Sequence, residues 1–149
     1  MDIEKVTELA TSFRKAIEDT IFSTHPMNNF PSGCCEEAAS YLSEFLQENG
    51  FASEYYCGLH PRGEGMNPKR HAWVILEEGI VADITGDQFK NDSEHLYYDK
   101  PVYVGEMDEF HMLFSICKTR HAGGFDCYDE GKKTQLRKEY ERIMENLNP

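Results

Sequence analysis

Two adjacent cysteines, Cys34 and Cys35, stand in FPSGCCEEAASYL, residues 30–42. Ser32-Gly33 before them and Glu36-Glu37 after them mark a helix start, where acidic side chains complement unpaired N–H groups and the positive end of the dipole. A thiol reacts as thiolate, and a helix N-terminus favours that charge, so either cysteine is a candidate nucleophile. Simple packing is the competing reading, because free cysteine is among the most buried residue types.

A thiol nucleophile needs a base, and HAWVILEEGIVADIT, residues 71–85, offers one. The segment reads as a hairpin in which Glu77-Glu78-Gly79 is the connection, with Gly79 in the left-handed position. Leu76 then pairs with Ile80, Trp73 faces Asp83, and His71 and Asp83 are diagonal neighbours on one face. A carboxylate so placed fixes the tautomer of the imidazole while its other nitrogen exchanges a proton with a thiol. Trp73, on the same face, would keep water from the pair.

The elements that must hold these groups follow from apolar spacing. Ile3, Val6, Leu9, Phe13, Ile17 and Ile21 recur at intervals of three and four, which predicts a first helix of roughly 20 residues. A second helix runs from about Cys35 to Asn49-Gly50, burying Ala38, Ala39, Leu42, Phe45 and Leu46. Strands are expected at residues 53–59, 71–76, 79–85, 101–105 and 110–116, the last also readable as helix. Leu136, Tyr140, Ile143, Met144 and Leu147 return to helical spacing. The outline is a single α+β domain over 1–149, largely antiparallel, with three polar loops: HPRGEGMNPKR, KNDSEHLYYDK and RHAGGFDCYDEGKK.

Composition narrows the function classes. Fifteen Lys and Arg against 27 Asp and Glu leave a formal charge of −12, which opposes binding to nucleic acid or an anionic membrane. No apolar run is long enough to span a bilayer and the first residues lack a signal-peptide pattern, so a cytoplasmic protein is expected. Five cysteines without framework spacing then argue for reduced thiols.

The order Gly33-Cys34-Cys35, Ala38-Ala39, Leu42, then His71-Ala72-Trp73, then Asp83-Ile84-Thr85 resembles the transglutaminase-like and papain-like cysteine enzyme superfamily, over residues 29–89. The resemblance implies a nucleophile helix packed on a small antiparallel sheet, flanked here by N- and C-terminal helices. It selects Cys35 as nucleophile, as the cysteine of G-x-C, with His71 as base and Asp83 as its orienting carboxylate. It also places Asn29, six residues before Cys35, where such enzymes carry an oxyanion-binding amide. Gln88, in GDQF, is a further candidate donor or substrate contact.

The function expected is acyl transfer through a Cys35 thioester on a protein or peptide amide, as a protease, glutamine deamidase or transglutaminase, without a cofactor. A bacterial effector or toxin-type enzyme, delivered to another cell, is the expected biological setting. Two readings compete. Cys57 and His60 with Cys117, His121 and Cys127 could meet around zinc, but no C-x-x-C pair supports it and no metal is expected. The chain could also be a non-enzymatic acidic interaction or inhibitor protein on the same scaffold. His25, His95 and His111 carry no motif and read as surface or core polar residues.

Overall fold

The computed structural model describes residues 1–60, 69–92, 96–114 and 116–147, and for 116–118 the backbone. The loop residues expected at 61–68 and 93–95, including His95, and the Cys117 side chain lie outside the described residues. The element order is α1 (Ile3–Glu18), α2 (Cys35–Glu48), β1 (Ser53–His60), β2 (Lys69–Leu76), β3 (Val81–Asp83), β4 (Tyr103–Gly105), α3 (Glu109–Met112), β5 (Ile116–Ala122) and α4 (Glu130–Leu147). The strands form one antiparallel sheet in the order β4-β3-β2-β1-β5. The α+β expectation holds, with the cysteine-bearing helix packed on the sheet.

Period-two alternation in the central strand divides the core. Ala72, Val74 and Leu76 join Ala82, Cys34, Cys35 and the apolar faces of α1, α2 and α4. Trp73 and Ile75 join Val81, Phe89, Leu96, Tyr98, Phe110 and Phe114 in a second, mainly aromatic cluster. The sheet is thus buried on both faces along β2.

The hairpin forms in the expected register. Leu76 N–H donates to Ile80 O at 2.8 Å, and Val74 pairs with Ala82 and Ile75 with Val81. The turn takes two left-handed residues rather than one, Glu78 at φ 62° and Gly79 at φ 74°. The first helix ends at Glu18, short of the expected Ile21. Thr20 Oγ1 turns back onto Ala16 O at 2.7 Å and Ile21 is left 82% exposed. Strand β3 also stops early, because Asp83 Oδ1 accepts the Thr85 N–H at 2.9 Å and bends the chain into the turn Gly86–Phe89.

The expected strand at 110–116 is α3 followed by the start of β5. Asp108 caps α3 by accepting the His111 N–H at 2.9 Å. Strand β5 falls partly in what reads as a polar loop. It lies at the sheet edge on β1, where Arg120 pairs with Glu54, and charged side chains suit an edge strand.

Candidate active site

Helix α2 begins after Gly33, whose φ of +73° turns the chain, with Cys34 as the N-cap and Glu36 and Glu37 in the first turn. Both thiols face inward: Cys34 is 1% exposed and Cys35 8%. The backbone N–H of Ala72, the residue that follows His71 on β2, favours the thiolate form of Cys35. Burial pushes the Cys35 thiol up to about 12, with Cys57, Asp83 and Cys34 adding to the rise and the Ala72 N–H opposing it. Burial likewise raises Cys34 to about 12. Desolvation outweighs the helix N-terminus here, contrary to the expectation of an activated thiolate.

His71 is fully buried, and its ring is surrounded by Trp73, Phe89, Phe110 and Phe114 at centroid distances of 5.2 to 5.7 Å. Its Nε2 lies 2.7 Å from Asp83 Oδ2, the diagonal contact that the hairpin register requires. Its Nδ1 lies 3.2 Å from Gln88 Nε2. An amide N–H donates to Nδ1 and the imidazole Nε2–H donates to Asp83, a mutually consistent tautomer. No hydrogen bond joins Cys35 to His71. The imidazole belongs to the aromatic face of the sheet, whereas Cys35 belongs to the helical face.

The sheet and its turns therefore bring together His71, Asp83, Trp73 and Gln88, and leave two expected contacts unmade. Asn29 is exposed, and its side chain makes no hydrogen bond to Cys35, His71 or Asp83. Gln88 contacts His71 itself, because the turn that carries it is clamped: Arg14 of α1 binds Asp87 through two N–H···O contacts of 2.7 and 2.9 Å. Arg14 also donates to Ile84 O and Pro101 O. Trp73 shields the histidine-carboxylate cluster, with its ring 4.9 Å from that of His111.

His111 is the group that the sequence reading placed among motif-free polar residues. It is fully buried, with Nε2 2.7 Å from the same Asp83 Oδ2 and Nδ1 2.6 Å from Asp108 Oδ1. Both ring nitrogens face carboxylate oxygens, so both donate and the ring is an imidazolium. Burial opposes that charge, but the bonds to Asp108 and Asp83 overcome it and raise His111 to about 9. Burial also opposes ionisation of Asp83, yet the two imidazoles hold its carboxyl far below the usual range. Asp108 is held at about 2 against its own burial by His111 and Tyr98. Its local signal was the spacing Asp-x-x-His at a helix start; nothing local signalled the bond to Asp83.

His71, Asp83 and His111 each offer one ligand atom within 4.8 Å of the others, and could meet a metal ion. The fit is poor. Each nitrogen is already at hydrogen-bond distance from the carboxylate, and no fourth His, Cys, Asp or Glu among the described residues joins them. Of the residues weighed for zinc, His60 Nδ1 bonds Leu113 O at 3.1 Å, Cys127 bonds Tyr55 Oη at 3.1 Å, and His121 stacks on Tyr55.

No family model and no curated protein matches the chain. Among solved structures it is similar to the catalytic domain of the Salmonella virulence factor SseI, at 20% identity and a TM-score of 0.48, over 87% of this chain and 76% of that one. No helix among the described residues is long and apolar enough to cross a membrane.

Proposed function

We propose that the protein is a thiol-dependent acyl-transfer enzyme acting on a protein or peptide amide, with Cys35 as nucleophile, His71 as base and Asp83 as the carboxylate that orients it. One observation supports this reading most: Asp83 Oδ2 holds the His71 imidazole through Nε2 at 2.7 Å, and the backbone N–H of the next residue on β2, Ala72, favours the Cys35 thiolate. Nδ1 is then the nitrogen left to receive a proton.

In the proposed reaction Gln88 releases Nδ1, the His71 ring and the Cys35 thiol, which are not bonded in this structure, move within hydrogen-bond reach, and the thiol gives its proton to Nδ1 as the sulfur–carbon bond forms. The amide carbon–nitrogen bond breaks and the departing amine or ammonia takes that proton. Water or a second amine then attacks the thioester, regenerating the thiol and yielding an acid or a new amide. Backbone N–H groups in the first turn of α2, which lack intrahelical acceptors, are the oxyanion donors proposed in place of Asn29.

The rival reading, a non-enzymatic protein whose polar cluster is structural, is favoured by the raised Cys35 thiol and its missing bond to His71. Acylation by 4-nitrophenyl acetate, followed by peptide mass mapping, separates the two. The proposal expects an adduct on Cys35 that Cys35→Ala abolishes, His71→Ala sharply slows and Cys34→Ala leaves in place. An adduct formed equally fast in His71→Ala overturns the assignment. Intact-mass analysis of incubated candidate proteins then identifies the acceptor: a gain of about one dalton marks deamidation, fragments mark proteolysis, and a larger adduct marks transamidation.

A further inference from the structure

The Asp83 carboxylate has four hydrogen-bond contacts, and a hairpin that only had to orient His71 would need fewer. Oδ1 takes the Thr85 N–H at 2.9 Å and the Thr85 hydroxyl at 3.5 Å, while Oδ2 is shared by His71 and His111 at 2.7 Å each. Removing His111 would leave Oδ2 with His71 as its one donor, so that the aim of that oxygen would rest on the bond it is meant to direct and on Thr85 at Oδ1. His111 itself has no rotational freedom, because Asp108 Oδ1 takes its other nitrogen and also its backbone N–H. Asp108 is in turn fixed by the Tyr98 hydroxyl at 3.0 Å.

We propose that His111 is the positioning residue of this site: bonded to Asp108 through Nδ1 and to Asp83 through Nε2, it fixes the carboxylate that orients His71. The inference rests on the proposed thiol chemistry for its kinetic consequence alone; the hydrogen-bond chain Tyr98, Asp108, His111, Asp83, His71 stands without it. The chain reaches from the segment before β4 through α3 to β3 and β2, so it couples four parts of the fold to one imidazole.

The electrostatics agree with the geometry. The titratable groups facing His111 are Asp83 from β3, Asp108 before α3, His71 from β2, and two tyrosines, Tyr98 and Tyr103, whose rings lie 5.7 and 5.6 Å away. Trp73 and Phe110 complete the enclosure without charge. Two carboxylates against one imidazolium keep His111 protonated at neutral pH, and loss of a proton near pH 9 would leave one N–H to serve both Asp108 and Asp83, breaking the chain at one of its two bonds.

The test combines imidazole nitrogen NMR with Cys35 acylation by 4-nitrophenyl acetate across pH 6–10. In the unmodified protein His71 is a single Nε2–H tautomer, and acylation declines above about pH 9 as His111 loses its proton. His111→Ala should mix the His71 tautomers and slow acylation on the order of 10- to 100-fold, the cost of a misplaced reacting group. His111→Gln, which retains an N–H donor that does not titrate, should restore most of the rate and abolish the alkaline decline. A merely structural role would lower the folded fraction in both variants without moving the pH profile. The proposal is overturned if His71 keeps one tautomer in His111→Ala, or if the alkaline decline persists in His111→Gln. Acylation that survives Cys35→Ala would instead remove the thiol reading and leave the tautomer measurement to decide the role of His111.

Discussion

Gln88 Nε2 stands 3.2 Å from His71 Nδ1, on the one imidazole nitrogen that Asp83 does not hold. The proposed base is therefore capped in this conformation, and Gln88 is positioned as a competitor of the thiol for that nitrogen. Replacing Gln88 with Ala should raise the rate of Cys35 alkylation by iodoacetamide roughly fivefold, the equivalent of one hydrogen bond of about 1 kcal/mol. Gln88→Glu should do the reverse, since a carboxylate accepts from Nδ1–H and holds the imidazole in its protonated form. Site-resolved mass spectrometry reads both rates; equal rates in all three proteins would dismiss the cap.

Cys35 and Cys127 should differ in intrinsic reactivity. Cys127 is exposed, whereas the Cys35 thiol is buried and pushed up to about 12. At pH 7 and without an acyl donor, iodoacetamide should label Cys127 well before Cys35. Between pH 6 and 8, labelling of Cys35 should climb about tenfold per pH unit as its thiolate fraction grows. A plateau for Cys35 below pH 8 would show an activated thiolate and contradict the burial argument.

The buried imidazolium makes stability depend on alkaline pH. His111 is raised in the folded protein from 6.5 to about 9, so its contribution is complete below 6.5 and is lost as pH rises through 9. The loss is on the order of a few kcal/mol. Asp108, lowered from 3.8 to about 2, acts in the opposite sense: its contribution is present above 3.8 and disappears as pH falls through 2. Urea midpoints measured at pH 6, 7.5 and 9.5 should decline progressively, and His111→Gln should flatten that decline.

Asp83 should be as much a structural residue as a chemical one. Asp83→Ala leaves two buried histidines without their shared acceptor, and breaking a buried charged pair costs about 3–5 kcal/mol. Thermal unfolding should show a markedly lowered midpoint for Asp83→Ala. A midpoint equal to that of the unmodified protein would mean that the two histidines find other acceptors.

The clamp between Arg14 and Asp87 offers a separate check on how the Gln88 turn is held. Both side chains are largely buried, and the pair is bidentate. Asp87→Asn alone should destabilise by a few kcal/mol because it leaves a buried guanidinium short of its partner, while Arg14→Met with Asp87→Leu should recover part of the loss. Chemical denaturation of Arg14→Met, Asp87→Leu and the double variant measures the coupling. Additive effects would mean that the two groups act independently.

Local chemistry by itself determined the parts of this protein that depend on near neighbours. The Gly33 turn and the acidic first turn mark the start of α2. The EEG connection and strict alternation from His71 to Asp83 set a register that leaves His71 and Asp83 in contact, since a one-residue slip would separate them to opposite faces of the sheet. Long-range packing decided the rest. Spacing cannot say which face of the sheet a strand residue shares with a distant helix, so the separation of Cys35 from His71 was not legible. Neither was the burial that keeps its proton on the thiol. Arg14, Asp87, Asp108 and His111 are ordinary polar residues along the chain. They become a clamp and a hydrogen-bond chain only where α1 and α3 close over the end of the hairpin, because desolvation there leaves the charges of Arg14, Asp87 and His111 dependent on partners far away in sequence.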